Sequence, residues 1–264
     1  MSPKRTIIYR DPLHDDFAGT DIHHIEVDET FPFRHGPLWN GAAFLLYYLV
    51  GIPIVWLVAK VYLGLKFENR KVLRKVRKTG CYLYGNHTQG LDAFLPPLSA
   101  WPKRAYVIAG ADAVSLPCLK NIVQMFGAIP IPTKPSGMRS FLKRLAALAK
   151  KKQIVAIFPE AHIWPYYTDI RPFTDTSFRY PVKTGLPAVA MVVTYRKRHG
   201  LFRFMRRPAV TVTFSEPFFC RTDLSPKEAQ KALRDEVYDF MKAVSRTREN
   251  VEYYRYVRET DTSA

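Results

Sequence analysis

Two short stretches of this chain carry residue types that can move a proton. The first is Asn86-His87-Thr88-Gln89-Gly90-Leu91-Asp92, a histidine and an aspartate separated by four residues. Imidazole titrates near neutral pH, so it can take a proton from a hydroxyl as that hydroxyl attacks a carbonyl. A carboxylate on the other ring nitrogen fixes the tautomer and stabilises the imidazolium. The four-residue gap lets a turn bring Asp92 back beneath His87. With such a pair the acceptor hydroxyl is itself the nucleophile, and no serine or cysteine is required. The second stretch is Phe158-Pro159-Glu160.

The same His-x4-Asp spacing recurs from His23 to Asp28, so spacing alone does not make a site. Position separates the copies. His23 lies in a polar segment with no strand before it, whereas His87 follows an apolar run, where α/β folds place their active sites. Phe158-Pro159-Glu160 also closes an apolar run. If the two strands are parallel, their ends open on one edge and Glu160 faces His87 across a cleft. Two more segments, Gly127-Ala128-Ile129-Pro130-Ile131-Pro132 leading into Thr133-Lys134, and Gly185-Leu186-Pro187-Ala188-Val189-Ala190, stand at strand boundaries and by themselves read as structural.

The elements that must position these residues follow from hydrophobic periodicity. Strands are expected at Cys81–Gly85, Ala105–Ala109, Ala128–Ile131, Ile154–Phe158, Ala188–Tyr195 and Ala209–Phe214. Between them, Ser136–Lys152 puts Met138, Phe141, Leu142, Leu145 and Leu148 on one side of a helix. Ser225-Pro226-Lys227-Glu228 is a capping box that starts the last helix. Alternating strands and helices predict an α/β fold with a mostly parallel central sheet flanked by helices. The three cysteines, Cys81, Cys118 and Cys220, show no metal-ligand spacing and read as reduced thiols.

Ahead of the sheet, residues 1–37 form a polar lead-in expected to be loosely structured. From Leu38 to Val58 the only strongly polar side chain is Asn40. A helix of that length spans ~30 Å, about a hydrocarbon core. Gly51-Ile52-Pro53 predicts either a kinked span or a re-entrant pair of half-helices. The run Lys66 to Lys78 alternates basic residues with Leu65, Val72, Leu73 and Val76, the pattern of a basic amphipathic helix lying on anionic headgroups. Residues 38–79 are thus a membrane-associated segment, 80–250 the catalytic domain and 251–264 a C-terminal tail. The net charge of +17 suits a polyanionic partner. Because the densest basic run adjoins the apolar one, that partner is expected to be an anionic membrane and not nucleic acid. The positive-inside tendency puts the domain at the cytoplasmic face of the cell membrane.

In this order, the four motif segments resemble the lysophospholipid acyltransferase family, best known for the 1-acylglycerol-3-phosphate acyltransferases. The match runs from about Gly80 to Tyr195. Asn86, His87 and Asp92 match the first motif and Phe158-Pro159-Glu160 the core of the third. The resemblance implies acyl transfer from acyl-CoA or acyl-carrier protein, as co-substrate, to a lysophospholipid hydroxyl, with no metal and no cofactor. It makes His87 the general base, Asp92 its orienting partner, and Asn86, Phe158, Pro159 and Glu160 substrate-binding. Two positions depart from the family. Phe-Pro-Glu is usually followed by Gly-Thr-Arg, and here by Ala161-His162-Ile163. The second motif usually ends in arginine, and here Thr133 stands there beside Lys134. Both lost arginines are associated with the acceptor's phosphate. Lys134, Arg139, Arg171, Arg179 and Lys183 are the candidate replacements, and an acceptor without that phosphate is the alternative. Two other readings are a nucleic-acid-binding module and a membrane protein of this fold without catalysis.

Overall fold

A computed structural model describes residues 3–17, 25–115 and 120–262. His23 of the second His-x4-Asp copy and Cys118 lie outside the described residues. The strands are β1 Arg5–Tyr9, β2 Lys66–Glu68, β3 Cys81–Gly85, β4 Ala105–Ala109, β5 Ala128–Pro130, β6 Ile154–Ile157, β7 Ala188–Arg196, β8 Ala209–Phe214 and β9 Tyr254–Arg258. Seven of them make one sheet in the order β2-β8-β7-β3-β6-β4-β5. From β7 to β5 every neighbouring pair is parallel. β8 runs antiparallel to β7, and β2 lies parallel to β8. Every residue of β3 and β6 is buried, as expected of central strands covered on both faces.

The six strands expected from the sequence are all present, and so is the Ser225 capping box, in which Ser225 N–H donates to Glu228 Oε2 at 3.1 Å. Helix Met138–Lys150 buries Phe141, Leu145 and Leu148 on the sheet, as its spacing predicts. The same face is covered by helix Pro226–Thr247 and by Val27, Phe31 and Phe33 of the lead-in. The opposite face carries Tyr47, Ile52 and Ala59 of the long apolar helix and Leu95 and Leu98 of helix Leu95–Ala100.

The apolar segment is one helical run, Pro37–Val61, long and apolar enough by length and composition to cross a membrane. Leu46–Gly51 within it is π-helical. Pro53 has no N–H to donate and its ring collides with the preceding turn. The wide turn absorbs this, with Ile52 N–H donating to Tyr47 O. Gly51 is required here, because a Cβ would sit 2.2 Å from the Phe126 ring. The helix is therefore neither broken into two halves nor interrupted.

Two expectations are corrected. The basic stretch after the apolar helix is not one amphipathic helix. It is β2, a left-handed Asn69 (φ 53°) and the short helix Val72–Lys75. The segregation of its faces holds all the same: Leu65, Val72, Leu73 and Val76 are buried, while Lys66, Arg74, Lys75, Arg77 and Lys78 are exposed. The lead-in is not loosely structured throughout. β1 and β9 pair in parallel as a two-stranded ribbon, from Arg5 with Tyr254 to Tyr9 with Arg258.

Candidate active site

β3 lies between β6 and β7 and runs parallel to both, so the residues that follow β3 and β6 emerge side by side at one sheet edge. This brings His87 and Phe158-Pro159-Glu160 together. Asn86, the first residue past β3, is buried. Its Nδ2 donates to Val193 O at 3.0 Å, and its Oδ1 accepts the Val193 N–H at 2.8 Å. Both ends of the amide are thereby occupied by β7. Asn86 fixes the direction in which the loop leaves the sheet.

The chain then turns through the 3-10 helix Gly90–Phe94, which returns Asp92 beneath the loop. Asp92 is fully buried. Its Oδ2 accepts the Thr88 N–H at 2.6 Å and the Gln89 N–H at 2.8 Å. The same oxygen lies 3.5 Å from His87 Nδ1. That distance is long for an N–H···O bond, so the carboxylate is held mainly by backbone. The ring is held by something else. It stacks on Phe158, with centroids 4.5 Å apart and planes 23° from parallel. The His87 side chain is 15% exposed and Asp92 not at all. The imidazole therefore has one nitrogen directed at a buried carboxylate and an edge reaching the surface.

Pro159 occupies the turn in which Ala161 N–H donates to Phe158 O at 3.1 Å. Glu160 then points inward. Its Oε2 accepts the His87 backbone N–H at 3.1 Å, and its Oε1 accepts the Arg171 N–H at 3.0 Å. Glu160 thus does not face the imidazole across a cleft; it ties the His87 main chain from within. Arg171 Nη2 completes the contact 3.4 Å from Glu160 Oε2 and also donates to His162 O. Burial pushes the Glu160 carboxyl above its usual range, against the pull of Arg171 and two backbone N–H donors. Burial also lowers the Arg171 guanidinium.

Arg171 is 1% exposed and lies under Trp164, its guanidinium carbon 4.9 Å from the ring centroid. Its expected role as a cation open to an acceptor phosphate is corrected, because the side chain is enclosed. Lys134 and Arg139 follow β5, three strands along the edge from β3, roughly 14 Å at ordinary strand spacing. Lys134 is paired with Glu26 at 2.7 Å. Thr133, at the altered second motif, is bonded to the lead-in: its N–H donates to Val27 O at 3.1 Å, and its Oγ1 accepts the Val27 N–H at 2.9 Å. Arg139 is exposed.

Several contributors were not foreseen. Tyr195, the last buried residue of β7, donates from its hydroxyl to Thr88 Oγ1 at 2.7 Å. Trp164 N–H donates to His87 O at 3.1 Å, and Tyr166 N–H to Thr88 O at 2.9 Å. The loop after Phe-Pro-Glu is thus laid on the histidine loop. The ribbon of the two termini locks it there, Tyr256 stacking on Trp164 with centroids 5.0 Å apart. Tyr195 had a signal, its place at the end of an expected strand beside the motif; Trp164 had none. Among the described residues no three His, Cys, Asp or Glu side chains gather where they could hold a metal ion. On the face of the sheet that carries the apolar helix, a cavity of about 480 Å³ lies between that helix, at Ile52, Trp56 and Ala59, and Phe67, Leu98 and Trp101.

The model of the Acyltransferase family matches residues 64–194, a span that holds both motifs. Among solved structures, the chain is similar to the 1-acyl-sn-glycerophosphate acyltransferase PlsC of Thermotoga maritima. The identity is 16%, the match covers 81% of this chain and 91% of that one, and the TM-score is 0.54. No curated protein sequence matches the chain significantly. The family's span lies over the sheet edge that carries His87, Asp92 and Glu160, so residues 64–194 are an acyltransferase-family domain, in a chain with the fold of that acyltransferase.

Proposed function

We propose that the protein moves a fatty acyl group from acyl-CoA or acyl-carrier protein to the hydroxyl of a lysophospholipid, with 1-acylglycerol-3-phosphate as the default acceptor. The observation that carries this reading is the placing of the His87 ring between a buried Asp92 and the surface, at the joint end of β3 and β6. His87 takes the acceptor's proton through Nε2 while Asp92 stabilises the imidazolium. The acceptor oxygen attacks the thioester carbonyl, the carbon–sulfur bond breaks, and the imidazolium returns its proton to the departing thiolate. Products are an ester and a free thiol. Glu160 and Phe158 hold the base by its backbone and its ring. The apolar cavity on the helix face is within the ~300–1,000 Å³ usual for ligand pockets and is assigned to a fatty chain.

The protein works at a membrane in this reading. The helix Pro37–Val61 supplies the apolar contact, and the exposed basic residues between Lys66 and Lys78 face anionic headgroups at the cytoplasmic side of the cell membrane. The test is transfer of a labelled acyl group from a thioester to lysolipids, read by mass spectrometry for wild type and His87→Ala. Activity surviving in His87→Ala removes the mechanism.

One observation favours a second acceptor class. Of the five candidate phosphate cations, Arg171 is enclosed and Lys134 is paired with Glu26, while Arg139, Arg179 and Lys183 are exposed. An acceptor lacking the phosphate, such as a neutral lysolipid or glycolipid, fits that distribution. Including both classes in the acceptor panel decides between them.

A further inference from the structure

The connection between β7 and β8 leaves the sheet at the edge that carries His87, one residue beyond Tyr195, whose hydroxyl holds Thr88. Its sequence, Arg196-Lys197-Arg198-His199-Gly200-Leu201-Phe202-Arg203-Phe204-Met205-Arg206-Arg207, contains six Lys and Arg, and no Asp or Glu occurs between Asp175 and Glu216. Lys197, Arg203, Arg206 and Arg207 are exposed. Phe204, set among them, is 74% exposed.

The base of the hairpin is fastened to the end of the apolar helix. Arg198 donates to Tyr62 O and Arg196 to Gly64 O, the carbonyls just past the helix's last turn. Arg198 Nε also donates to Arg207 O at 2.8 Å, and the Arg207 guanidinium lies 5.2 Å from the Tyr62 ring. The base of the hairpin thus joins the helix end to the catalytic edge.

We propose that this hairpin is a membrane-docking element: its exposed cations bind the phosphates of anionic lipid headgroups, and Phe204 enters the apolar boundary beneath them. The proposal rests on the membrane reading of the apolar helix. Lipid is favoured over an acidic protein by two features. An exposed phenylalanine between arginines is the composition of interfacial elements, and the helix end to which the hairpin is bonded fixes its level at the headgroups. Docking here turns the edge carrying His87 toward the bilayer, from which a lysolipid hydroxyl arrives.

The test partitions the full-length chain onto vesicles of phosphatidylcholine alone and of phosphatidylcholine with phosphatidylglycerol. The ratio of the two partition coefficients cancels the apolar helix. A basic residue at an anionic surface contributes about 5-fold to binding. Arg203→Gln with Arg206→Gln should lower the ratio about 25-fold, and added salt should shrink the difference. Lys197→Gln, on the other arm, should lower it about 5-fold, which keeps the test decisive if the double variant fails to fold. Equal ratios for wild type and variants overturn the proposal while leaving the membrane reading standing. Wild type that binds neither vesicle overturns both. An unchanged ratio with poorer use of an acyl-carrier-protein thioester assigns the hairpin to that acidic protein and overturns the lipid assignment.

Discussion

Glu160 Oε2 accepts the backbone N–H of His87 at 3.1 Å, so the two motifs are fastened through main chain and not through the imidazole. A carboxylate so placed holds the base without sharing its proton. Removing the base and removing its anchor should therefore have different signatures.

His87→Ala leaves the Glu160 contact intact, because that contact uses the backbone. Acyl transfer should fall by about 10²–10⁴-fold, with the melting temperature near that of wild type. Initial rates with a labelled thioester, beside a thermal melt, check both halves. A large loss of stability would mean that the imidazole is a structural group.

Glu160→Gln should behave differently, and its difference from wild type should depend on pH. Burial raises the Glu160 carboxyl above its ordinary value of 4.5. An acid with a raised folded pKa binds its proton more tightly when folded, so it loses stability as pH rises from about its ordinary value through the folded one. Glutamine has no such dependence. The advantage of wild type over Glu160→Gln in chemical denaturation should shrink as pH rises through that window. An advantage that grows would show that Arg171 and the two N–H donors outweigh burial.

Arg171 and Arg139 separate stability from recognition. Arg171 is enclosed, and its partner Glu160 is buried with it. Arg171→Ala leaves the buried carboxylate its two backbone N–H donors but takes away the cation beside it, which costs about 3–5 kcal/mol. It should lower the melting temperature and impair every acceptor alike. Arg139→Ala, at an exposed position, should leave stability within about 0.5 kcal/mol and weaken phosphate-bearing acceptors only. Equal losses on phosphate-bearing and neutral acceptors for Arg139→Ala would end its assignment.

The departure from the family at Ala161 carries its own consequence. Ala161 sits at φ 64°, a left-handed conformation suited to glycine, which is the residue the resemblance leads one to expect there. The backbone of the motif has been kept while its usual residue has not. A left-handed alanine is strained by about 1–2 kcal/mol, partly offset by glycine's larger unfolded-state entropy. Ala161→Gly should therefore raise the melting temperature slightly or leave it unchanged. A clear decrease would mean that the Ala161 methyl makes packing contacts that outweigh the strain.

The sheet and the pairing of its two functional ends were legible because they rest on local pattern. Fully apolar runs such as Cys81–Gly85 and Ile154–Ile157 announce covered parallel strands, and parallel strands put their following residues on one edge. What was not legible rests on partners distant in sequence. Tyr9 pairs with Arg258 across nearly the whole chain, and no local feature of either segment points to the other. Lys66 reads as part of a basic amphipathic helix, yet it opens the strand that pairs with β8 and stops before Asn69, in the left-handed region. Arg171 was visible as a cation, but its enclosure depends on Trp164, itself held by Tyr256 and by Asp15, whose carbonyl accepts the indole N–H at 2.8 Å. Burial is a property of the assembled termini and cannot be read from a charged residue's neighbours in sequence.

Phe158 is the residue on which the imidazole depends most, since Asp92 stands 3.5 Å from His87 Nδ1 and is bonded more closely to Thr88 and Gln89. Phe158 in turn depends on Gly85. A Cβ at Gly85 would lie 2.9 Å from Phe158 Cε1 and 2.9 Å from Met191 Cε, closer than side chains approach. The methionine can swing aside at its flexible end, but the ring cannot without leaving the stack. Gly85→Ala should therefore displace Phe158 and tilt the imidazole off Asp92, lowering the rate about 10²-fold, the loss an ångström of misplacement can bring, in a protein that still folds. Phe158→Leu, which keeps bulk and removes the flat face, should reduce the rate in the same direction. The check is the pair of rates together with a melt for each variant. Near-wild-type turnover in both would show that Asp92 alone orients the base.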